Sequence, residues 1–250
     1  MIDKSTLERL VPDALLKDEA TGLQTFTLHI ERYEFAARKL RDARSILDIA
    51  CGVGYGSRLL KDSIPAALVT GVDSNAEAIE YANSRYACPG LTFRVDDAMT
   101  FDGGPFDAVV SLETIEHLPD PQPFIQRVTT GLLRLGGIFI GSVPVTPSMD
   151  ANPHHLHDFS DRSFRKLLAT GGLVEFDRLH QIQPYSPVSV ITRNEERMRA
   201  MRPNILAYYQ RHPGKALLRL KSLIFDGFNN KYLTIAARSA GLPKSFPASD

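Results

Sequence analysis

Carboxylates and histidines that could carry out acid–base or metal chemistry are concentrated in two short segments. The first is Glu113-Thr114-Ile115-Glu116-His117, directly after an apolar run. The second spans residues 152–160 and contains three histidines: His154, His155 and His157. A histidine side chain accepts a proton well at working pH because its ordinary pKa is close to neutral. We take His117 as the first candidate for a general base, and Glu113 and the three histidines of the second segment as further catalytic candidates.

The same side chains could instead bind a metal, since carboxylate oxygens and imidazole nitrogens together can hold a divalent ion. We expect such an ion, Mg²⁺ or Mn²⁺, to be held by Glu113, Glu116, His117 and one histidine of the second segment, for which we name His157. The alternatives are that Glu116 and His117 only brace their turn, or that one histidine deprotonates a substrate hydroxyl directly. The residues alone leave this choice open.

A glycine-rich turn follows a short apolar strand near residue 50. Residues 46–56 read Ile-Leu-Asp-Ile-Ala-Cys-Gly-Val-Gly-Tyr-Gly. Glycine lets the backbone turn sharply and approach a ligand, but G-x-G-x-G differs from the dinucleotide spacing G-x-G-x-x-G. The acid on the strand, Asp48, would repel a phosphate and suits an ammonium group or a ribose hydroxyl. The segment therefore predicts a site for a nucleoside bearing an amino acid, with a dinucleotide as the alternative.

Short strands and helical segments alternate through the first 145 residues. We predict strands over 45–50, 67–73, 91–97, 106–113 and 137–144, and helices over 56–62, 75–87, 123–134 and 161–170. Continuous apolar strands are typical of sheets covered by helices on both faces, so the pattern predicts an α/β doubly wound, Rossmann-like sheet. Ligands bind such sheets at the carboxyl ends of the strands, where Asp73, Asp97 and Glu113 fall.

The pattern changes after residue 150. Two further strands are predicted over 173–182 and 232–239, and a helical insertion lies between them over 193–230. From 193 to 221 the insertion contains eight basic residues and two acidic ones. We interpret it as a lid over an acceptor site or as a dimer contact, and its basic residues favour a polar or anionic acceptor.

These features resemble the class I S-adenosylmethionine-dependent methyltransferases, over about residues 25–145 and more loosely to the end. The resemblance implies seven strands with an antiparallel last strand and S-adenosylmethionine as cofactor. Within it, Arg32-Tyr33-Glu34-Phe35-Ala36 resembles bacterial enzymes that methylate sugars and glycans. The cofactor-binding residues implied are Tyr33, Asp48, Ala50, Cys51, Gly52, Gly54, Asp73, Ser74, Asp97, Ala98 and Leu112, with Asp96 as a weaker candidate for contacting the adenine.

The resemblance therefore implies an O-methyltransferase that acts on a hydroxyl of a sugar or oligosaccharide. Glu113-x-x-Glu116-His117 also resembles the metal-dependent small-RNA 2′-O-methyltransferases, and it occurs in metal-free quinone O-methyltransferases. A quinone, phenol or RNA ribose acceptor is thus an alternative. A cofactor-binding module without catalysis is an alternative from another class.

Composition limits the partners of this chain. It has 250 residues with 29 basic and 29 acidic side chains, so we expect one domain over 1–250 and no nucleic-acid partner. Its two cysteines, Cys51 and Cys88, lack metal spacing. Because Cys51 lies within the glycine-rich turn, we expect no disulfide, which favours a reducing compartment and a cytoplasmic location. No apolar run reaches membrane-spanning length. A homodimer is one option for the surface of the insertion.

Overall fold

All seven strands of the computed structural model form one sheet in the order β3-β2-β1-β4-β5-β7-β6. The structure describes residues 20–192 and 201–240, together with Pro12 and Arg199. Neighbours among β1 to β5 run parallel, whereas β7 runs antiparallel to both β5 and β6. The predicted sheet and its antiparallel last strand are confirmed. The strands are β1 (Ser45–Ile49), β2 (Leu68–Asp73), β3 (Leu91–Val95), β4 (Phe106–Leu112), β5 (Leu133–Pro144), β6 (Leu173–Pro184) and β7 (Asn229–Ser239).

Helices cover both faces of this sheet. They are α1 (Ala20–Lys39), α2 (Tyr55–Ser63), α3 (Ala76–Tyr86), α4 (Pro121–Arg127), α5 (Asp161–Thr170), α6 (Pro187–Thr192), α7 (Ile205–Arg211) and α8 (Pro213–Asp226). Successive strand residues point to opposite faces. Accordingly, Ile46 packs in a core with Phe35 of α1, whereas its neighbour Leu47 packs with Phe124 of α4. Burial on both faces is why these strands are apolar throughout.

The fourth helix and the fifth strand depart from the predicted boundaries. The helix predicted over 123–134 ends at Arg127 and continues as one wide turn to Leu132. Strand β5 then begins at Leu133, which pairs with Phe106 of β4 across a register shift. Residues 133 and 134, which the local pattern assigned to the helix, therefore belong to strand β5. Pairing with a neighbouring strand often outweighs local preference in this way.

The predicted insertion lies between β6 and β7. The whole segment between these two strands, residues 185–228, is called the insertion from here on and contains α6, α7 and α8. Helix α6 ends at Thr192, before the predicted start at residue 193, and residues 193–198 and 200 lie outside the described part of the chain. The predicted end at residue 230 is wrong, because Asn229 and Asn230 already pair with β6. Among the helices of the described residues, none has both the length and the apolar character needed to cross a membrane.

Candidate active site

Asp48 lies at the centre of a buried hydrogen-bonded group under the glycine-rich turn. The Tyr33 hydroxyl donates to Asp48 Oδ2 at 3.2 Å, and Ser57 Oγ donates to the same oxygen at 2.6 Å. Burial raises the pKa of the Asp48 carboxyl to about 7. The Tyr33 ring crosses the start of α2 so closely that a Cβ on Gly56 would lie 1.9 Å from its Cζ atom. The group ties α1, β1 and α2 together.

A cavity of about 400 Å³ opens above this group, at the carboxyl ends of β1, β2 and β4. Most of the predicted cofactor-binding residues line it: Tyr33, Ala50, Cys51, Gly52, Asp73, Ser74, Asp97, Ala98 and Leu112. Asp96, the weaker candidate for the adenine, also lines the cavity, as do His29, Tyr55 and Met99, which the sequence analysis did not select. We refer to it as the cofactor cavity.

Two predicted cofactor contacts, Asp48 and Gly54, do not line the cofactor cavity. Asp48 is 1% exposed and its carboxylate binds the side chains described above. Gly54 begins α2 with a φ of 86°, and a Cβ there would lie 2.7 Å from the Cβ of Ala82. The backbone turn and close packing therefore require the glycine, as expected for a left-handed conformation.

Asp73 is held at the end of β2 by two backbone groups. Its Oδ2 accepts from Gly52 N and its Oδ1 accepts from Asn75 N, both at 2.9 Å. A carboxylate oxygen has lone pairs for more than one donor, so both oxygens remain able to accept from a ligand hydroxyl in the cavity they line. Asp73 thus fixes the glycine-rich turn to β2 and presents a charge to the cofactor cavity.

Replacing Asp73 with alanine should weaken binding of S-adenosylmethionine about tenfold to a hundredfold. The substitution removes a charged hydrogen-bond acceptor, which costs about 1.5–3 kcal/mol. Titration calorimetry would measure the affinity, with circular dichroism to establish that the variant is folded. Asp62→Ala is a matched control, because Asp62 is exposed on α2 and pairs with Arg58. Equal affinities for a folded Asp73→Ala protein and the wild type would refute this role.

A second cavity of about 390 Å³ lies next to the first, under the helices of the insertion. Three residues line both cavities: His29, Glu113 and His117. We call these three shared residues the junction of the two cavities. We refer to the second one as the acceptor cavity, because a molecule within it would lie against residues that also line the cofactor cavity.

Glu113 follows β4 directly and is held rigidly at the junction. Its φ of 50° is unusual for a residue with a side chain and such strain persists only where the surroundings enforce it. Ser142 Oγ donates to Glu113 Oε1 at 2.8 Å, and Arg32 Nη1 lies 3.5 Å from the same oxygen. Arg32 is itself 1% exposed and donates through Nε to Gln181 Oε1 at 2.7 Å. The sequence did not indicate that Arg32 supports Glu113, because its bond to Gln181 joins α1 to β6, which are far apart in the chain.

Glu116, His117 and His155 form a cluster beside Glu113 in the wall of the acceptor cavity. One ligand atom from each of the three lies within 4.8 Å of the others. The Glu116 carboxylate is fully buried, and neither of its oxygens has a hydrogen-bond partner. Burial, reinforced by the charge of Glu113, raises its pKa well above the ordinary value. Burial also lowers the pKa of His155 to about 3, so its imidazole is neutral.

The predicted metal ligands are therefore only partly brought together. His157 lies outside the cluster because its Nε2 faces the carbonyl oxygen of Leu118 at 2.9 Å. Glu113 binds Ser142 and Arg32 instead of joining the group. His155 takes the place predicted for His157, with Nδ1 2.7 Å from Ser148 Oγ. The third histidine of the segment, His154, is exposed and lines neither cavity.

Two basic residues of the insertion, Arg219 and Lys215, pair with acidic side chains of the protein, which weakens the reason given for a polar or anionic acceptor. Arg219 Nη2 lies 2.6 Å from Asp150 Oδ1, and Lys215 Nζ lies 2.7 Å from Asp158 Oδ2. Both acids belong to the loop between β5 and α5, in which Asp158 also accepts from two backbone amides. These pairs fasten the insertion to the histidine-containing loop.

Comparison with known proteins agrees with the fold and the cofactor cavity. The family described as a methyltransferase domain matches residues 47–141. A probable S-adenosylmethionine-dependent methyltransferase of Mycolicibacterium smegmatis is 29% identical over 184 residues, covering 69% of this chain and 70% of that protein. The structure of YcgJ from Bacillus subtilis superposes with a TM-score of 0.61 at 15% identity, covering 84% of this chain and 99% of that one.

A second relative matches a shorter stretch of the chain. The phthiotriol/phenolphthiotriol dimycocerosates methyltransferase of Mycobacterium tuberculosis is 32% identical over 114 residues. The match covers 44% of this chain and 42% of that protein, so the chain spans less than half the length of that relative. Together, the sheet, the methyltransferase domain over residues 47–141 and the named relatives support S-adenosylmethionine-dependent methyltransferase activity for this chain. It is therefore an enzyme whose cofactor is S-adenosylmethionine.

Proposed function

We propose that this enzyme transfers the methyl group of S-adenosylmethionine to a hydroxyl group held in the acceptor cavity. The observation that carries the proposal is that His29, Glu113 and His117 line both cavities. Bound S-adenosylmethionine supplies an electrophilic methyl group on a sulfonium. The acceptor oxygen would form the new bond to that carbon as the carbon–sulfur bond breaks toward sulfur, releasing S-adenosylhomocysteine. Alignment of the reacting atoms provides much of the rate in such a transfer.

The hydroxyl proton must pass to a base, and we assign this role to His117. His155 is a poor alternative because a group with a pKa of about 3 accepts a proton weakly near neutral pH. Glu113 is better suited to orienting the hydroxyl, since Ser142 and Arg32 hold its carboxylate in place. The helices α6 to α8 would act as a lid over the acceptor, within a single domain.

A sugar or oligosaccharide hydroxyl remains our proposed acceptor. It is supported by the sequence resemblance of residues 32–36 and by the hydrogen-bonding groups that line the junction. Methyl transfer from S-adenosylmethionine should be followed by mass spectrometry over a panel of sugars, phenols, quinones and RNA. Methylation of a sugar is the expected result. Methylation of phenols alone would refute the sugar proposal, and binding of NAD in place of S-adenosylhomocysteine would refute methyl transfer itself.

A divalent ion would fit the cluster of Glu116, His117 and His155. The buried Glu116 carboxylate has no hydrogen-bond partner, and the charges of Glu113 and Arg32 act on it in opposite directions. A bound cation or a proton would stabilise it, since a buried charge is costly. One carboxylate and two imidazoles suit Mn²⁺ or Zn²⁺ better than Mg²⁺, which prefers oxygen ligands. When bound, the ion would lower the pKa of a coordinated hydroxyl and orient it.

This ion is the alternative to direct proton transfer, because His117 would then be a ligand and not the base. If the cluster binds an ion, exhaustive dialysis against EDTA should abolish methyl transfer and leave cofactor binding intact, and added Mn²⁺ should restore activity. His155→Ala should raise the Mn²⁺ concentration required, because it removes a nitrogen ligand. His157→Ala is the matched control, since that side chain faces the Leu118 carbonyl. Full activity after chelation, with no metal found by elemental analysis, would contradict the metal site and leave direct proton transfer to His117.

A further inference from the structure

The insertion gives the acceptor cavity an apolar wall. Its described residues in that wall are Tyr185, Pro187, Val190, Met201, Ile205, Tyr209, Arg219, Leu223 and Phe228. Arg219 is the one charged side chain among them, and Asp150 and the Pro147 carbonyl already occupy its guanidinium. The part of the wall formed by the insertion is therefore largely hydrocarbon.

Two of the three tyrosine hydroxyls in the cavity wall are also occupied within the protein. Tyr209 donates to Asp150 Oδ2 at 2.5 Å, and Tyr232 donates to Gln183 Oε1 at 2.8 Å. Gln183 in turn donates to Thr25 Oγ1 at 2.8 Å. These side chains present ring faces and edges rather than open hydrogen-bonding sites. A hydroxyl-rich ligand placed against them would lose water without regaining its hydrogen bonds, which is unfavourable.

The polar side chains of the cavity wall come instead mostly from outside the insertion. They include Thr21, Thr25, His29, Glu113, Glu116, His117, Thr146, Ser148, Asn152, His155, Gln183 and Asn230. Three of them, His29, Glu113 and His117, also line the cofactor cavity. A ligand that satisfies both parts of the wall must have a hydroxyl-bearing end at the junction and an apolar end against the insertion.

We infer that the acceptor is an amphipathic glycoside, a sugar joined to an apolar alkyl or aryl group that packs against Val190, Ile205 and Leu223. This inference rests on the proposed methyl transfer to a sugar hydroxyl. The sugar supplies the reacting hydroxyl at Glu113 and His117, and the apolar group supplies most of the binding energy. A free sugar would leave the hydrocarbon wall in contact with water.

The test compares methyl, hexyl, octyl and phenyl glycosides of the same sugar, over several sugars and below their micelle concentrations. Burying one methylene raises affinity by roughly fourfold, so kcat/KM should rise at least tenfold from the methyl to the hexyl glycoside. A greater gain for octyl than for phenyl would indicate a lipid chain, and the reverse would indicate an aromatic group. Equal kcat/KM for methyl and hexyl glycosides would overturn the inference while leaving sugar methylation intact.

Two substitutions locate the effect in the cavity wall. Val190→Thr keeps the shape of the side chain and adds a hydroxyl, so it should reduce the preference for hexyl over methyl glycosides at least threefold. Leu223→Asn should do the same, whereas Ile224→Asn should not, because Ile224 is 70% exposed and does not line the cavity. An unchanged preference in folded Val190→Thr and Leu223→Asn proteins would also overturn the inference. If no glycoside or free sugar is methylated and phenols are, the proposed sugar acceptor fails and this inference fails with it.

Discussion

Replacing His117 with alanine should lower turnover by about 10²- to 10⁴-fold, the range typical for loss of a general base. His117 lines both cavities and stands beside Glu113, which is the position from which an imidazole can receive the acceptor proton. Affinity for S-adenosylhomocysteine should barely change, because the residues proposed to bind the cofactor remain. The measurement is single-turnover methyl transfer across a pH series, with calorimetry for the cofactor.

His154→Ala provides the matched control, since His154 is exposed and lines neither cavity. It should retain turnover close to the wild type. A His117→Ala enzyme within threefold of wild-type turnover would exclude His117 as the base. A general base makes the rate rise with pH as it loses its proton. Loss of that rise in His117→Ala, together with the lower rate, would indicate proton transfer by His117. A lower rate with the rise retained would indicate that His117 only braces the turn.

Replacing Asp48 with asparagine should change the pH dependence of stability. The difference in free energy of unfolding, variant minus wild type, should be roughly 2–3 kcal/mol larger at pH 8 than at pH 5. The Asp48 carboxyl has a pKa of about 7 in the folded protein against an ordinary value of 3.8. The stability that its proton provides is complete below the unfolded pKa and is lost as the pH rises through about 7. Asparagine keeps an oxygen for Tyr33 and Ser57 and carries no charge.

Denaturant unfolding of both proteins at a series of pH values would measure this difference. The exposed substitution Asp62→Asn should leave the pH dependence of the wild type unchanged, since Asp62 is on the surface of α2. Parallel stability curves for Asp48→Asn and the wild type between pH 5 and 8 would show that the Asp48 carboxyl is ionised throughout.

The sequence predicts the sheet well because buried strands between helices must be apolar on both faces. It does less well at element ends, where pairing with a distant strand decides the boundary, as for Leu133 and Phe106. Strand alternation contains the signal for the buried position of Asp48. Leu47 and Ile49 share one face, so Asp48 must point with Ile46 toward α1.

The histidines show what a pattern cannot resolve. Whether His155 or His157 faces the junction depends on how the loop is held, and the Glu116 carbonyl fixes it by accepting from the amides of Leu156 and His157. Likewise, net charge suggested that the insertion offers free cations. The carboxylates that bind two of them, Asp150 and Asp158, come from a loop more than 50 residues earlier, and such pairing follows only from the folded chain.

The closeness of the Tyr33 ring to Gly56 has an evolutionary consequence. No side chain fits at position 56 while an aromatic ring occupies position 33, because even a methyl group would overlap that ring. The two positions should therefore change together among homologous sequences. An aromatic residue at 33 should occur with glycine at 56, and a larger residue at 56 should occur only where 33 is small or points elsewhere. An alignment of homologues containing many aromatic residues at 33 beside alanine at 56 would contradict this steric coupling.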